Sequence, residues 1–161
     1  MTFRTTTLIA DLGLKPHPEG GHFREVFRSP REVSPADERP SRSALTSIYF
    51  LLGAGDASHW HRVGSDEAWH FLEGDPLDLF EIDTEAGTLH VTTLGPHSAG
   101  QQPLHVVAAG RWQAARPHGA YALVACTVGP GFEFADFEML RDLPEAAAAV
   151  ARDHPGVADL V

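Results

Sequence analysis

His59 and His61 stand one residue apart in the stretch Gly53-Ala-Gly-Asp-Ala-Ser-His-Trp-His-Arg-Val-Gly-Ser-Asp-Glu67. Successive side chains on a β-strand point to opposite faces, so two histidines at i and i+2 share one face. A tight turn from Val63 to Asp66 then brings Glu67 back on the neighbouring strand. Two imidazoles and a carboxylate converging on one face can do two kinds of chemistry. They form a 2-His-1-carboxylate set able to hold Fe, Mn, Ni or Zn with open positions. Alternatively, one imidazole acts as a general base near neutral pH while the carboxylate orients it. The competing reading is a hydrogen-bonded polar cluster between sheets, because buried polar groups need partners.

Neighbouring residues could complete such a site. Alternation places Trp69 and Phe71 on the face of Glu67 and sends His70 outward, to an outer face or a dimer contact. Asp66 reads as a turn former. Tyr49, Trp69, Trp112 and Phe132 are candidate pocket walls, since ligand cavities are mostly apolar with few polar groups. Large aromatics also serve as plain core. Arg28, Arg42, Arg62 and Arg111 are candidate anchors for a carboxylate or phosphate, each with a solvated surface position as the alternative. Pro16-His-Pro-Glu-Gly-Gly21 is too rich in proline and glycine for regular structure and predicts a rigid loop. That loop either carries His17 and Glu19 to the mouth of the site or simply caps the sheets. His90, His97, His105, His118 and His154 share no ligand spacing and receive no role.

Short strands must position these groups. Runs rich in β-branched and aromatic residues predict strands at 22–28, 44–52, 58–63, 68–72, 77–82, 88–94, 105–109, 112–116 and 121–128. Breaks such as Gly74-Asp-Pro76 and Gly95-Pro96 separate them, which indicates an all-β sandwich or barrel. Helices are predicted at 5–12 and 144–153, and an exposed loop at 29–42. A chain of 161 residues, 43% hydrophobic, supports one domain over 1–161 with its core at about 14–140. The net charge of −10 argues against nucleic acid or an anionic membrane as partner. No apolar run approaches the ~20 residues that span a bilayer, and the opening residues lack a signal-peptide apolar core. Cys126 is the single cysteine and reads as a buried thiol. These features predict a cytoplasmic protein.

The pattern of a glycine, five residues, His-x-His, a spacer, Glu67, six residues and Gly74 resembles the first motif of the cupin superfamily. In the second cupin motif, Pro-x-Gly-x-x-His, the counterpart is Ala108-Ala-Gly110-Arg-Trp-Gln113, with Gln113 where the last histidine ligand would stand. An amide oxygen is a weaker ligand than imidazole for a transition metal. The resemblance therefore implies His59, His61, Glu67 and Gln113 around a weakly bound divalent metal, or around none.

Five further stretches are similar to the cupin_5 (former DUF985) group of small cytosolic cupins. They are Leu14 to Gly21, Thr46 to Leu51, His61 to His70, Gly110 to Gln113 and Val128 to Glu138. This likeness implies an RmlC-like jelly roll, a homodimer, and a barrel pocket for a small polar metabolite. Three functions then compete. One is an isomerase- or epimerase-like enzyme acting on a carbohydrate or nucleotide-sugar derivative. Its base would be His61 or His59, its acid Tyr49, and Glu67 would stabilise the imidazolium. Around them Trp69, Trp112, Arg111, Phe132 and Glu19 would contact the ligand. The second is a metal-dependent dioxygenase or isomerase, and the third a non-catalytic small-molecule binder.

Overall fold

Thr2 opens the first helix, α1 (Phe3–Leu12), by accepting the Thr5 amide on its hydroxyl at 3.2 Å. Gly13 closes it in the left-handed conformation, φ 62°. The helix begins two residues before the predicted start because Thr2, and no later threonine, is the cap. The computed structural model describes residues 2–161.

Twelve of the thirteen strands among the described residues lie between Lys15 and Gly129: β1 (Lys15–Pro16), β2 (His22–Arg28), β3 (Glu32–Val33), β4 (Arg42–Ser43), β5 (Thr46–Gly53), β6 (Ser58–Arg62), β7 (Asp66–Gly74), β8 (Leu77–Ile82), β9 (Leu89–Leu94), β10 (Leu104–Val107), β11 (Trp112–Pro117) and β12 (Tyr121–Gly129). The short β13 (Glu138–Met139) and the helix α2 (Pro144–Asp153) follow. One sheet runs β1-β2-β5-β12-β7-β10, a second runs β13-β6-β11-β8-β9, and β3 pairs with β4 alone. Every named pairing is antiparallel.

Alternation explains the core. Phe50 and Leu52 of β5, Trp69 of β7, Leu77 and Leu79 of β8 and Val124 of β12 form one buried cluster between the two sheets. Each fully buried side chain of this size contributes roughly 1.5–3 kcal/mol. The intervening residues are apolar too, because helices cover the outer faces. Leu51, Leu123 and Tyr49 pack with Leu8 and Leu14, at α1. Trp60, Phe80, Ile82, Trp112 and Ala114 pack with Val150, Val157 and Leu160 of the C-terminal region. The chain thus folds as a mostly β sandwich with short helices at both ends. None of its described helices is long and apolar enough to cross a membrane.

Two local predictions fail. Segment 29–42 contains β3 and the first residue of β4 instead of a plain exposed loop, and Arg42 is buried against Asp136. The proline-rich loop starts as an edge strand, with Lys15 opposite Phe23 and Pro16 opposite His22. Proline suits that position because an edge strand has spare amide positions.

Candidate functional site

The centre of the site is Glu19, delivered by the loop between β1 and β2. Gly20 and Gly21 have φ of 113° and 64°, a region that L side chains rarely adopt. A Cβ on Gly20 would lie 2.1 Å from the Ala57 carbonyl oxygen, so the loop docks on the start of β6 only because Gly20 has none. Gly20→Ala is expected to cost roughly 2–4 kcal/mol in urea unfolding, through strain and the forced loop displacement. An unchanged midpoint would show that the loop is not seated this way.

His59 anchors the same loop. Its backbone N–H donates to the Glu19 carbonyl at 2.8 Å, and its ring Nδ1–H donates to that oxygen at 2.9 Å. It therefore does not share the cavity face with His61. The cause is a β-bulge. Gln113 pairs with His61 and Ala115 with Ser58, so three steps along β6 match two along β11. The extra residue resets the two-residue period. Ser58 and His61 both face Glu19, while Trp60 points to the opposite face beneath the C-terminal turns.

His61 is 2% exposed. Its Nδ1 lies 2.8 Å from the His59 carbonyl, which can only accept, so Nδ1 carries the proton and Nε2 carries the lone pair. That Nε2 stands 3.3 Å from Glu19 Oε2. On the other side, His17 Nδ1 accepts the Glu19 amide at 3.3 Å and also lies 3.3 Å from Oε2. Two lone-pair nitrogens thus face one carboxyl oxygen. A proton on Oε2 turns this repulsive meeting into a hydrogen bond. Burial pushes the Glu19 carboxyl up to about 8, against the opposing pull of the Ser58 hydroxyl, which donates to Oε1 at 2.9 Å. Burial also holds both imidazoles neutral, His17 at about 4 and His61 below its ordinary value. Near neutral pH the centre holds a protonated acid beside a base with its lone pair fixed.

Glu67 faces the same cavity from β7. Burial raises its carboxyl, partly offset by His61. Its Oε2 accepts Gln113 Nε2 at 2.6 Å, and Gln113 Oε1 accepts Trp69 Nε1 at 3.0 Å. Gln113, fully buried, is therefore a bracket between Glu67 and Trp69. Gln113→Leu strands both partners and is expected to destabilise the fold by roughly 2–4 kcal/mol. Thermal unfolding of this variant at the parental midpoint would refute the bracket.

The cavity has a volume of about 90 Å³ and is lined by His17, Glu19, His61, Glu67, Cys126 and a group of phenylalanines near its mouth. Burial raises the Cys126 thiol, so it serves as wall and not as nucleophile. Phe132, Phe134 and Phe137 pack edge to face with centroids 5.0–6.0 Å apart. Arg42 and Arg39 pair with Asp136, which fixes the segment that carries these rings.

Several predicted site residues lie elsewhere. Tyr49 points outward into the cluster at α1, one step out of phase with Ile48, which lines the cavity. Trp112 is on the outer face beneath Arg62, whose guanidinium sits 4.7 Å from its ring. Arg111 pairs with Asp83 at 3.0 Å, away from the cavity. Trp69 is in the core beneath the site rather than in its wall. Of the four residues read as a metal set, His59 is turned away and Gln113 directs its oxygen at Trp69. Among the described residues no three His, Cys, Asp or Glu side chains are arranged to hold an ion. These residues do not fit a cupin metal centre. Phe132 and Glu19 do line the cavity, and so does His17, the loop having taken the first of its two alternatives, while Phe134 and Phe137 join them without having been singled out.

Two facing antiparallel sheets with a polar cavity among β2, β5, β6, β7 and β12 define a cupin. The chain belongs to the Cupin_5 family of the cupin superfamily (DUF985), whose profile matches residues 6–140. It is similar to a hypothetical protein from Leishmania major, with 31% identity over 97% of this chain and 95% of that one, TM-score 0.82. It is also similar to protein SO0799 from Shewanella oneidensis, with 35% identity over 95% and 93%, TM-score 0.82. A Bacillus subtilis oxalate decarboxylase variant shares the fold at TM-score 0.59 and 14% identity, over 87% of this chain and 34% of that one. A search of curated proteins gives no match.

Proposed function

We propose that this cupin catalyses proton transfer next to a carbonyl in a small polar metabolite, as an isomerase or epimerase. The reading is carried by one observation: a buried, neutral His61 with its Nε2 lone pair fixed beside the Glu19 carboxyl at 3.3 Å. His61 Nε2 takes the proton as the C–H bond breaks, and the electron pair moves to form the C=C bond of an enol. The carbonyl oxygen takes the Oε2 proton of Glu19, which thereby assumes the acid role first given to Tyr49. Return of the imidazolium proton to the other face of the same carbon, after the enol has turned over His61, restores the carbonyl as the enol proton goes back to Glu19. Where that carbon carries a hydroxyl, return of the proton to the former carbonyl carbon forms the new carbonyl as the hydroxyl proton goes to Glu19. Glu67 stabilises the transient imidazolium, since a nearby opposite charge favours the charged form. Each of these steps is carried by His61, Glu19 and Glu67 alone.

Solvent-deuterium incorporation into a panel of hydroxy- and amino-substituted ketones and aldehydes tests the reading. Label at the carbon next to the carbonyl, dependent on enzyme, is expected. A panel without incorporation removes it.

A further inference from the structure

The mouth of the cavity carries a charge pattern that the proton-transfer centre does not use. Among the described residues Arg28 is the only arginine or lysine lining the cavity, and it shares that lining with four carboxyl groups, Glu19, Glu25, Glu67 and Glu133. Its guanidinium is already taken. Nε and Nη2 grip Glu25 at 3.0 and 2.9 Å, Nη1 meets Glu133 at 2.8 Å, and Nη2 also reaches the Phe132 carbonyl at 3.1 Å. Two carboxylates on one guanidinium leave the group with a net negative charge, so an incoming anion would have to displace a carboxylate that is already paired. Deeper in, Glu67 is only 7% exposed and faces the cavity.

Aromatic faces complete the pattern. Phe132, Phe134 and Phe137 form a mutual cluster, and His17 continues it to Phe23 at 4.4 Å and Phe137 at 5.8 Å. Phe134 is 57% exposed although it belongs to this cluster. The electron-rich faces of aromatic rings attract cations, and most strongly when the cation is alkylated and gives up water easily. Anionic sugar nucleotides fit neither the chelated arginine nor the phenylalanines.

We propose that the cavity takes a small organic cation, a substrate carrying a protonated or alkylated amine, with its ammonium seated among Phe132, Phe134 and Phe137 beside Glu133 and Glu25. The proposal deepens the proton-transfer reading by naming its substrate class: the ammonium stays at the mouth while the carbonyl end reaches Glu19 and His61.

Three probes of similar shape test it by calorimetric or NMR titration: choline, its uncharged isostere 3,3-dimethylbutan-1-ol, and the anion 3,3-dimethylbutanoate. Choline is expected to bind about tenfold more tightly than the alcohol, within the usual range for a cation on aromatic faces, and the anion is expected not to bind. Phe134→Ala, at an exposed position, should weaken choline binding several-fold. Glu133→Gln should weaken choline, leave the alcohol unchanged and give the anion its first measurable affinity, since Arg28 is then partly released. An anion that binds the parent protein as well as choline does, an alcohol equal to choline, or no binding by any probe overturns the proposal. His61→Asn separates the two readings. Choline binding that survives this change leaves the substrate class standing whether or not deuterium exchange is ever found.

Discussion

His61→Asn is expected to lower enzyme-dependent solvent-deuterium exchange by roughly 10²–10⁴-fold, the usual contribution of a positioned general base. Asparagine suits the test because its amide N–H₂ can occupy the place of imidazole Nδ1–H. It can then still donate to the His59 carbonyl, which Nδ1 reaches at 2.8 Å. The buried donor–acceptor pairing survives, but no side-chain atom offers a basic lone pair to the cavity. The fold should therefore persist, as circular dichroism and thermal unfolding can verify, while exchange disappears. A variant that folds and keeps its exchange rate would falsify the assignment of His61 as base. His59→Asn is the informative companion. Its ring lies outside the cavity and tethers the Glu19 carbonyl, so it should disturb stability more than the chemical step.

Glu19→Gln is expected to change how stability depends on pH. The Glu19 carboxyl stands at about 8 in the folded protein, against an ordinary value of 4.5, because burial disfavours its charge. Between these values the folded state holds a proton that the unfolded state has released, so stability falls as pH rises. His17 acts in the opposite sense. Its ring is held at about 4 instead of 6.5, so between those values the unfolded state holds the extra proton and stability rises with pH. The two slopes cancel at mildly acidic pH. From about 6.5 to 8 the opposing His17 slope has ended while the Glu19 slope continues, and Glu19 alone should cost the parent protein on the order of 2 kcal/mol there. Glu67, also raised by burial, contributes with the same sign as Glu19.

Glutamine keeps the bonds of the protonated acid, accepting from Ser58 and donating towards His61, and does not titrate. Urea unfolding at pH 6.5, 7.25 and 8 should show a downward slope for the parent and a flatter one for Glu19→Gln, with the variant more stable at pH 8. Equal slopes would mean that Glu19 is ionised throughout, and the acid role would fall with it. In exchange assays the parent should also lose activity as pH rises through about 8, when Oε2 gives up its proton.

Much of the framework was legible because it rests on short-range rules. The run 77–82 reads as a strand and is one, with Leu77 and Leu79 inward and Phe80 and Ile82 outward. Helix α2 lies where the alanine-rich segment opened by Pro144 predicts it. His70 stands outside the cavity, as alternation from Glu67 requires. The aromatic residues were harder to place. Tyr49 and Trp112 look equally suited to a core, a pocket or a helix-covered outer face, and composition does not distinguish these environments. Only the packing of α1 and the C-terminal turns on the outer faces makes both of them outer-face core residues.

For the site itself, the sequence alone determined that a histidine and a glutamate from adjacent segments, His61 and Glu67, would face one interior, because alternation and a tight turn are local. The tertiary structure decided what joins them. The bulge opposite Gln113 turns His59 out of the pair, and a two-residue period cannot register one extra residue in advance. Glu19 and His17 arrive from a loop some 40 positions upstream of β6, seated where a glycine hydrogen meets the Ala57 carbonyl. That docking depends on non-local shape, and it sets the Glu19 carboxyl between the His17 and His61 rings.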